Sequence, residues 1–162
     1  MSVSQQRIVV GVDGSEHSKA ALRWAIGQAR LTGASVDAMT AWRYPATYSL
    51  ATIVPDIDME EEARHMLSQA LAEVVGDSPT GGPGVSPGKN CAEVQVQQLV
   101  SEGPPQGVLL RAARDADLLV VGSRGQGGFA SAILGSVSLA CVLNAPCPVL
   151  VFREEEDRAG DG

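Results

Sequence analysis

Five short apolar runs rich in β-branched residues recur along the chain, at 7–12, 35–42, 93–100, 117–122 and 148–152, and each has the length and composition of a strand. Three of them are nearly continuous in Val, Ile and Leu, as strands are when a parallel sheet buries both of their faces. Between them the period changes to that of a helix. Over 16–31, Ala21, Leu22, Ala25, Ile26 and Ala29 fall on one stripe, with Ser15 placed to cap the start and Gly33 to end it. A second helical stretch, 58–75, opens with Asp58, Glu60, Glu61 and Glu62, the charge sign favoured at the positive end of a helix dipole. These carboxylates read as a solvated first turn in preference to a metal cluster. A third helix starts at Pro104 and Pro105 and turns Val108, Leu109 and Ala112 inward; a fourth runs from Ser136 towards Asn144 and is stopped by Pro146. Regular alternation of strand and helix predicts an α/β fold, an open five-stranded parallel sheet with helices on both faces.

Two stretches interrupt the alternation. Residues 44–57 carry Pro45 and Pro55 and follow the second strand as a loop or lid, and 76–90 are dense in Gly, Pro and Ser, a surface connection. Residues 154–162 form an acidic flexible tail, which leaves a single domain over 1–153. With 162 residues and 44% hydrophobic content, one core covering both faces of a sheet is the expected size. The net charge of -7 argues against nucleic acid or an anionic membrane as partner, so a phosphate ligand would have to be held by local donors. The polar start of the chain and the lack of an apolar run near ~20 residues predict a soluble, cytoplasmic protein. Cys91, Cys141 and Cys147 are too scattered for a metal site and read as reduced thiols.

In a parallel sheet the residues following each strand gather on one rim, where ligands bind at the point of strand-order reversal. Two strand ends carry unusual chemistry: Gly11-Val12-Asp13-Gly14-Ser15 after the first, and Gly122-Ser123-Arg124-Gly125-Gln126-Gly127-Gly128, continuing to Gly135-Ser136, after the fourth. Glycines bring backbone N–H groups close to a ligand, and a helix N-terminus beyond them makes an anion site. The dipole contributes only about 0.3–1 kcal/mol, so several charge-assisted hydrogen bonds of about 1.5–3 kcal/mol must converge. Gly122, Gly125, Gly135, Ser136 and Ser138 are the donors expected to do so. Arg124 would add positive charge in place of a P-loop lysine, or be an ordinary surface arginine. Asp13 would repel a phosphate ~4 Å away by about 4 kcal/mol. It therefore either holds Mg2+ against the phosphates or faces the ribose and base.

A hydrolase or kinase needs a base or nucleophile within reach of the phosphates. His17, one turn into the first helix, and His65, mid-helix with Glu61 as a neighbour, read as surface histidines, and Ser15 lacks the setting of a hydrolase nucleophile. Regulatory binding is therefore the expectation, with slow hydrolysis of the bound phosphate ligand as the alternative.

The spacing Gly122-x-x-Gly125, nine residues, then Gly135-Ser136 resembles the ATP-binding signature of universal stress proteins. The opening Ile8-Val9-Val10-Gly11-Val12-Asp13-Gly14-Ser15 and the closing Ala145-Pro146-Cys147-Pro148-Val149-Leu150-Val151 resemble the two ends of that family. The resemblance runs over 7–153 and is weakest over 44–90. It implies a Rossmann-like, adenine nucleotide alpha hydrolase-like sheet with ATP, accompanied by Mg2+, across the first and fourth strand ends. Val12, Asp13, Gly14 and Ser15 would lie at the adenosine or metal, and Ala41 near the base. Trp42 would either stack on adenine or serve as a core or lid side chain. Val121, Gly122, Arg124, Gly125, Gln126, Gly135, Ser136, Val137 and Ser138 would surround the phosphates. Gln126 stands where a basic residue often follows the second loop glycine, which leaves phosphate charge less compensated. The resemblance also implies a homodimer through the edge strand from Pro148 to Phe152. A Rossmann dehydrogenase would carry its glycines after the first strand and an acid on the second, and a receiver domain would need further rim acids and a lysine; neither pattern is present. A nucleotide-free dimeric module of the same family ranks second.

Overall fold

The computed structural model describes residues 5–46, 57–76, 94–125 and 134–153. Along the chain these form β1 (Arg7–Gly11), α1 (Glu16–Thr32), β2 (Ser35–Trp42), α2 (Met59–Gly76), β3 (Val96–Glu102), α3 (Pro105–Ala112), a 3-10 turn (Ala113–Asp115), β4 (Leu118–Gly122), α4 (Ser136–Asn144) and β5 (Val149–Phe152). The expected segment 44–57 is described only at its two ends, and 77–90 and 154–162 lie outside the described residues.

All strand pairs are parallel and the sheet order is β3-β2-β1-β4-β5. The chain builds outward from β1 in one direction, then returns to the other side of β1 to lay down β4 and β5. The central strand β1 and its neighbour β4 are apolar at every interior position because helices cover both faces. Ile8, Val10, Val36, Ala38 and Val120 pack under α1 and α2, while Val9, Leu119 and Val121 pack under α3 and α4. This is the double-sided burial that the continuous Val and Leu runs predict.

Local chemistry sets the helix boundaries. The Ser15 hydroxyl caps α1 by accepting the Ser18 N–H at 3.2 Å, and Gly33, at φ 75°, closes it with a left-handed turn that donates to the Ala29 carbonyl. At the start of α2 the Asp58 carboxylate accepts the Glu61 N–H at 3.1 Å. Glu60 and Glu61 pair with Arg64 at 2.6 and 3.6 Å, so the acidic first turn is a capped, solvated helix end. Lys19 of α1 reaches both Glu16 (3.0 Å) and Glu73 of α2 (2.6 Å), tying the two helices of one face together.

The third strand departs from expectation. The apolar run predicts 93–100, but β3 spans Val96–Glu102 and pairs with β2 from Val36↔Val96 to Trp42↔Glu102. It is an edge strand, half exposed along its length, so polar Ser101 and Glu102 extend it without cost to the core. The pairing ends only at Gly103, whose φ of 137° turns the chain away after its N–H bonds the Trp42 carbonyl. At the opposite edge, β5 is a border strand as expected.

Cys141 on α4 is fully buried, and burial pushes its thiol up to about 11; burial likewise raises that of half-buried Cys147. Cys91 lies outside the described residues. Among the described residues no helix is long and apolar enough to cross a membrane.

Candidate functional site

The strand order reverses between β1 and β4, and this is where the C-terminal rim of the sheet opens. A cleft of about 390 Å3 lies there, bordered by Gly11, Val12 and Asp13 on one side and by Gly122, Arg124 and Gly125 on the other. The first residues of α4 contribute polar backbone to its wall, and Met39, Ala41, Met66, Pro105 and Leu109 add apolar lining.

The β1 side is an ordered turn. Val12 leaves the sheet after a last backbone bond to the Met39 carbonyl (2.9 Å), and Gly14, at φ 82°, reverses the chain into α1. The Asp13 carboxylate is fixed by its neighbour: Oδ1 accepts the Ser15 N–H at 3.0 Å and the Ser15 hydroxyl at 2.5 Å. Asp13 N donates to Ser18 Oγ at 3.2 Å. Gly14 and Ser15 do not line the cleft. They shape the turn and orient Asp13, which does line it.

The β4 side is held just as locally. Ser123 N donates to the Phe152 carbonyl (2.9 Å), and Gly135 N returns to the Ser123 carbonyl (2.7 Å), which brings the start of α4 beside the end of β4. Gly135 is the N-cap of α4 and has no capping side chain. The first ladder bond, Leu139 N to Gly135 O at 2.9 Å, leaves the N–H groups of Ser136, Val137 and Ser138 ahead of it, and all three residues line the cleft. The Ser138 hydroxyl is already committed, donating to the Gly122 carbonyl at 2.6 Å. Its contribution at the cleft is therefore the backbone N–H.

The two glycines of β4's exit act differently. A Cβ on Gly122 would come within 2.8 and 2.9 Å of the His17 backbone C and O, so Gly122 lets the first turn of α1 sit on β4. A Cβ on Gly125 would lie 2.5 Å from Asp13 Oδ2. The carboxylate and the glycine loop, far apart in the chain, meet at the edge of the cleft. Asp13 and Arg124 are the charged side chains among its described lining, one of each sign.

Ala41 and Val121 line the cleft at the ends of β2 and β4. Gln126 lies outside the described residues, as do 127–133 of the glycine-rich segment. Trp42 is not among the lining; its ring meets Tyr44 edge-on, with centroids 5.6 Å apart and planes at 89°. His17 packs against Gly122 and is not among the lining either, while His65 is exposed and Glu61 turns to Arg64. Sequence reasoning missed Ser18, Met39, Met66, Pro105 and Leu109. Met39 and Ser18 adjoin quoted segments and follow from strand register and helix phase once the fold is drawn. Met66 has no local signal, since it reaches the rim only because of how α2 crosses the end of β2.

A doubly wound parallel sheet with a glycine-lined cleft at its switch point defines a Rossmann-like α/β protein. The chain belongs to the universal stress protein family: the model of that family matches residues 5–153. It is 32% identical over 165 residues to a universal stress protein of Mycolicibacterium smegmatis, an alignment covering 99% of this chain and 52% of that protein. The chain thus spans about half the length of the curated relatives it matches. Among solved structures it is similar to a universal stress protein in complex with cAMP (TM-score 0.55, 24% identity, 92% of this chain and 97% of that one). It is also similar to the universal stress protein of Archaeoglobus fulgidus in complex with dAMP (TM-score 0.57, 24% identity, 91% and 98%).

Proposed function

We propose that this chain is an ATP-binding universal stress protein in which nucleotide occupancy regulates a stress response in the cytoplasm. The observation that carries the reading is the approach of Gly125 to Asp13 Oδ2 in a cleft that also receives the uncapped start of α4. The Asp13 carboxylate takes the space that a side chain at 125 would fill, so the glycine lets the carboxylate and the loop backbone present themselves to one ligand. The N–H groups of Ser136, Val137 and Ser138 suit anionic oxygens, and Arg124 adds a positive charge. The apolar lining side chains Met39, Ala41 and Met66 suit a base. The complexes of similar proteins with dAMP and cAMP support an adenine nucleotide.

In this reading Gly122, Gly125, Gly135 and the first residues of α4 hold the phosphates, while Val12 and Ala41 border the nucleoside. Asp13 would hold Mg2+, which neutralises phosphate charge when bound; Gly14 and Ser15 keep the carboxylate in place. ATP serves as a regulatory ligand, and any turnover is slow hydrolysis.

We also propose a homodimer. Leu139, Val142 and Leu143 of α4 are exposed beside the border strand β5, and Leu143 is 72% exposed. An apolar helix face next to an open sheet edge is a surface that a second copy covers. The nucleotide-free dimeric module is the competing reading favoured by that same face.

Calorimetric titration of ATP with Mg2+ into wild type, Asp13→Ala and Gly125→Glu tests the nucleotide site. Binding by the wild type and reduced affinity in both folded variants is the expected result. Equal heats in all three, or none in the wild type, would remove the site.

A further inference from the structure

The peptide that carries the chain from Val12 into Asp13 is gripped on both of its polar atoms by buried hydroxyls. Thr40, 2% exposed on β2, donates its Oγ1 hydrogen to the Val12 carbonyl. Ser18, 3% exposed in the first turn of α1, accepts the Asp13 N–H on Oγ at 3.2 Å and donates from the same oxygen to the Ser15 carbonyl at 2.9 Å. This peptide lies just past the end of β1 at Gly11, where regular pairing with β2 stops. Its carbonyl and N–H lie beyond the regular ladder, and the side chains of Thr40 and Ser18 bond them there.

We infer that Thr40 and Ser18 are positioning residues: together they clamp the plane of the Val12–Asp13 peptide and so set the direction in which Asp13 presents its carboxylate to the cleft. The inference rests on the nucleotide reading above and deepens it. Ser15 holds Oδ1 of the side chain, while Thr40 and Ser18 hold the backbone from which that side chain departs. Because one member comes from β2 and the other from α1, the clamp also locks Asp13 to two separate elements of the core. Neither sequence segment containing Asp13 nor the glycine loop reveals it.

Thr40→Val keeps shape and removes the donor; Thr40→Ser restores a donor; Ser18→Ala removes the other arm. Three measurements follow. Amide hydrogen exchange at Asp13, read by NMR on the nucleotide-free protein, is expected to be slow in wild type and Thr40→Ser and faster in Thr40→Val and Ser18→Ala. Calorimetry with ATP and Mg2+ is expected to show affinity lowered about fivefold to tenfold in Thr40→Val, the scale of one lost hydrogen bond, and recovered in Thr40→Ser. In an Asp13→Ala background, measured at high protein concentration, Thr40→Val is expected to lower affinity no further while still lowering the melting temperature, a result a merely structural threonine would not give.

Unchanged Asp13 exchange in both Thr40→Val and Ser18→Ala overturns the clamp. So does an equal affinity loss with and without the Asp13 carboxylate. If the wild type binds no nucleotide, the functional reading fails and the positioning role falls with it, while the exchange measurement still decides whether the peptide is gripped. Should Thr40→Val fail to fold, Ser18→Ala carries the same three readouts.

Discussion

Asp13 and Gly125 are contact partners across the switch point of the sheet: the carboxylate Oδ2 occupies the space where a side chain at 125 would begin, 2.5 Å from an added Cβ. Gly125→Ala is therefore expected to displace the Asp13 carboxylate. The obstructed atom is the tip of a side chain, which can rotate away, so the fold bears little of the cost. ATP affinity should fall by about tenfold or more, with the melting temperature within about 3 °C of wild type. Calorimetry and differential scanning fluorimetry on the same sample check both halves.

Gly122→Ala should behave in the opposite way. Its Cβ would meet backbone atoms of His17 at 2.8 and 2.9 Å, and a helix backbone has no rotamer to retreat into. Overpacking of this kind costs about 1–3 kcal/mol, which urea denaturation would read as a lower midpoint with unchanged slope. A midpoint equal to wild type would contradict the close seating of α1 on β4.

The dimer surface is best tested on α4. Leu150, the obvious position to charge from sequence, packs partly against the core, so Leu150→Asp would unfold as readily as dissociate. Leu143 is 72% exposed and supports nothing beneath it. Leu143→Glu should give a monomer with wild-type stability in sedimentation velocity; a dimer that persists at low micromolar concentration would move the interface elsewhere.

Stability should carry the signature of the Lys19–Glu73 pair. Hydrogen bonding to Glu73 and then Glu16 raises Lys19 above 10.5, and bonding to Lys19 lowers Glu73 below 4.5. For Glu73 the depressed value means stabilisation that is present above 4.5 and lost as pH falls through the folded pKa; for Lys19 it is present below 10.5 and lost as pH rises through its folded pKa. The Glu73 side chain is 43% exposed and that of Lys19 16%, so solvent screens the pair from the Glu73 side. Glu73→Gln should thus lower the melting temperature slightly and equally between about pH 6 and 9, and the difference should vanish in acid. A difference that grows in acid would contradict the pairing.

The sequence by itself determined the class of fold and the two segments that build the cleft. Strand runs and helical stripes are local consequences of which faces are buried, so β1, β2, β4 and β5 and the start of α4 lie where the apolar pattern predicts them. Glycines at 122 and 125 stand out because an added Cβ would come within 3.0 Å of a neighbour, whereas at 135 it would meet only ordinary contacts from 3.5 Å; Ser15 declares itself as a cap.

Only the tertiary structure decided what each glycine approaches, a helix backbone at 122 and a carboxylate at 125, because that depends on which strands neighbour one another. The same holds for the roles of Ser138, whose hydroxyl goes to Gly122, and of Thr40, whose partner is Val12 just past the end of β1. The far end of β3 also escaped the pattern, since an edge strand needs no apolar alternation to stay paired. Hydrophobic period records how deeply a residue is buried. It carries no record of which neighbour it is buried against, and the chemistry of this cleft lies in those neighbours.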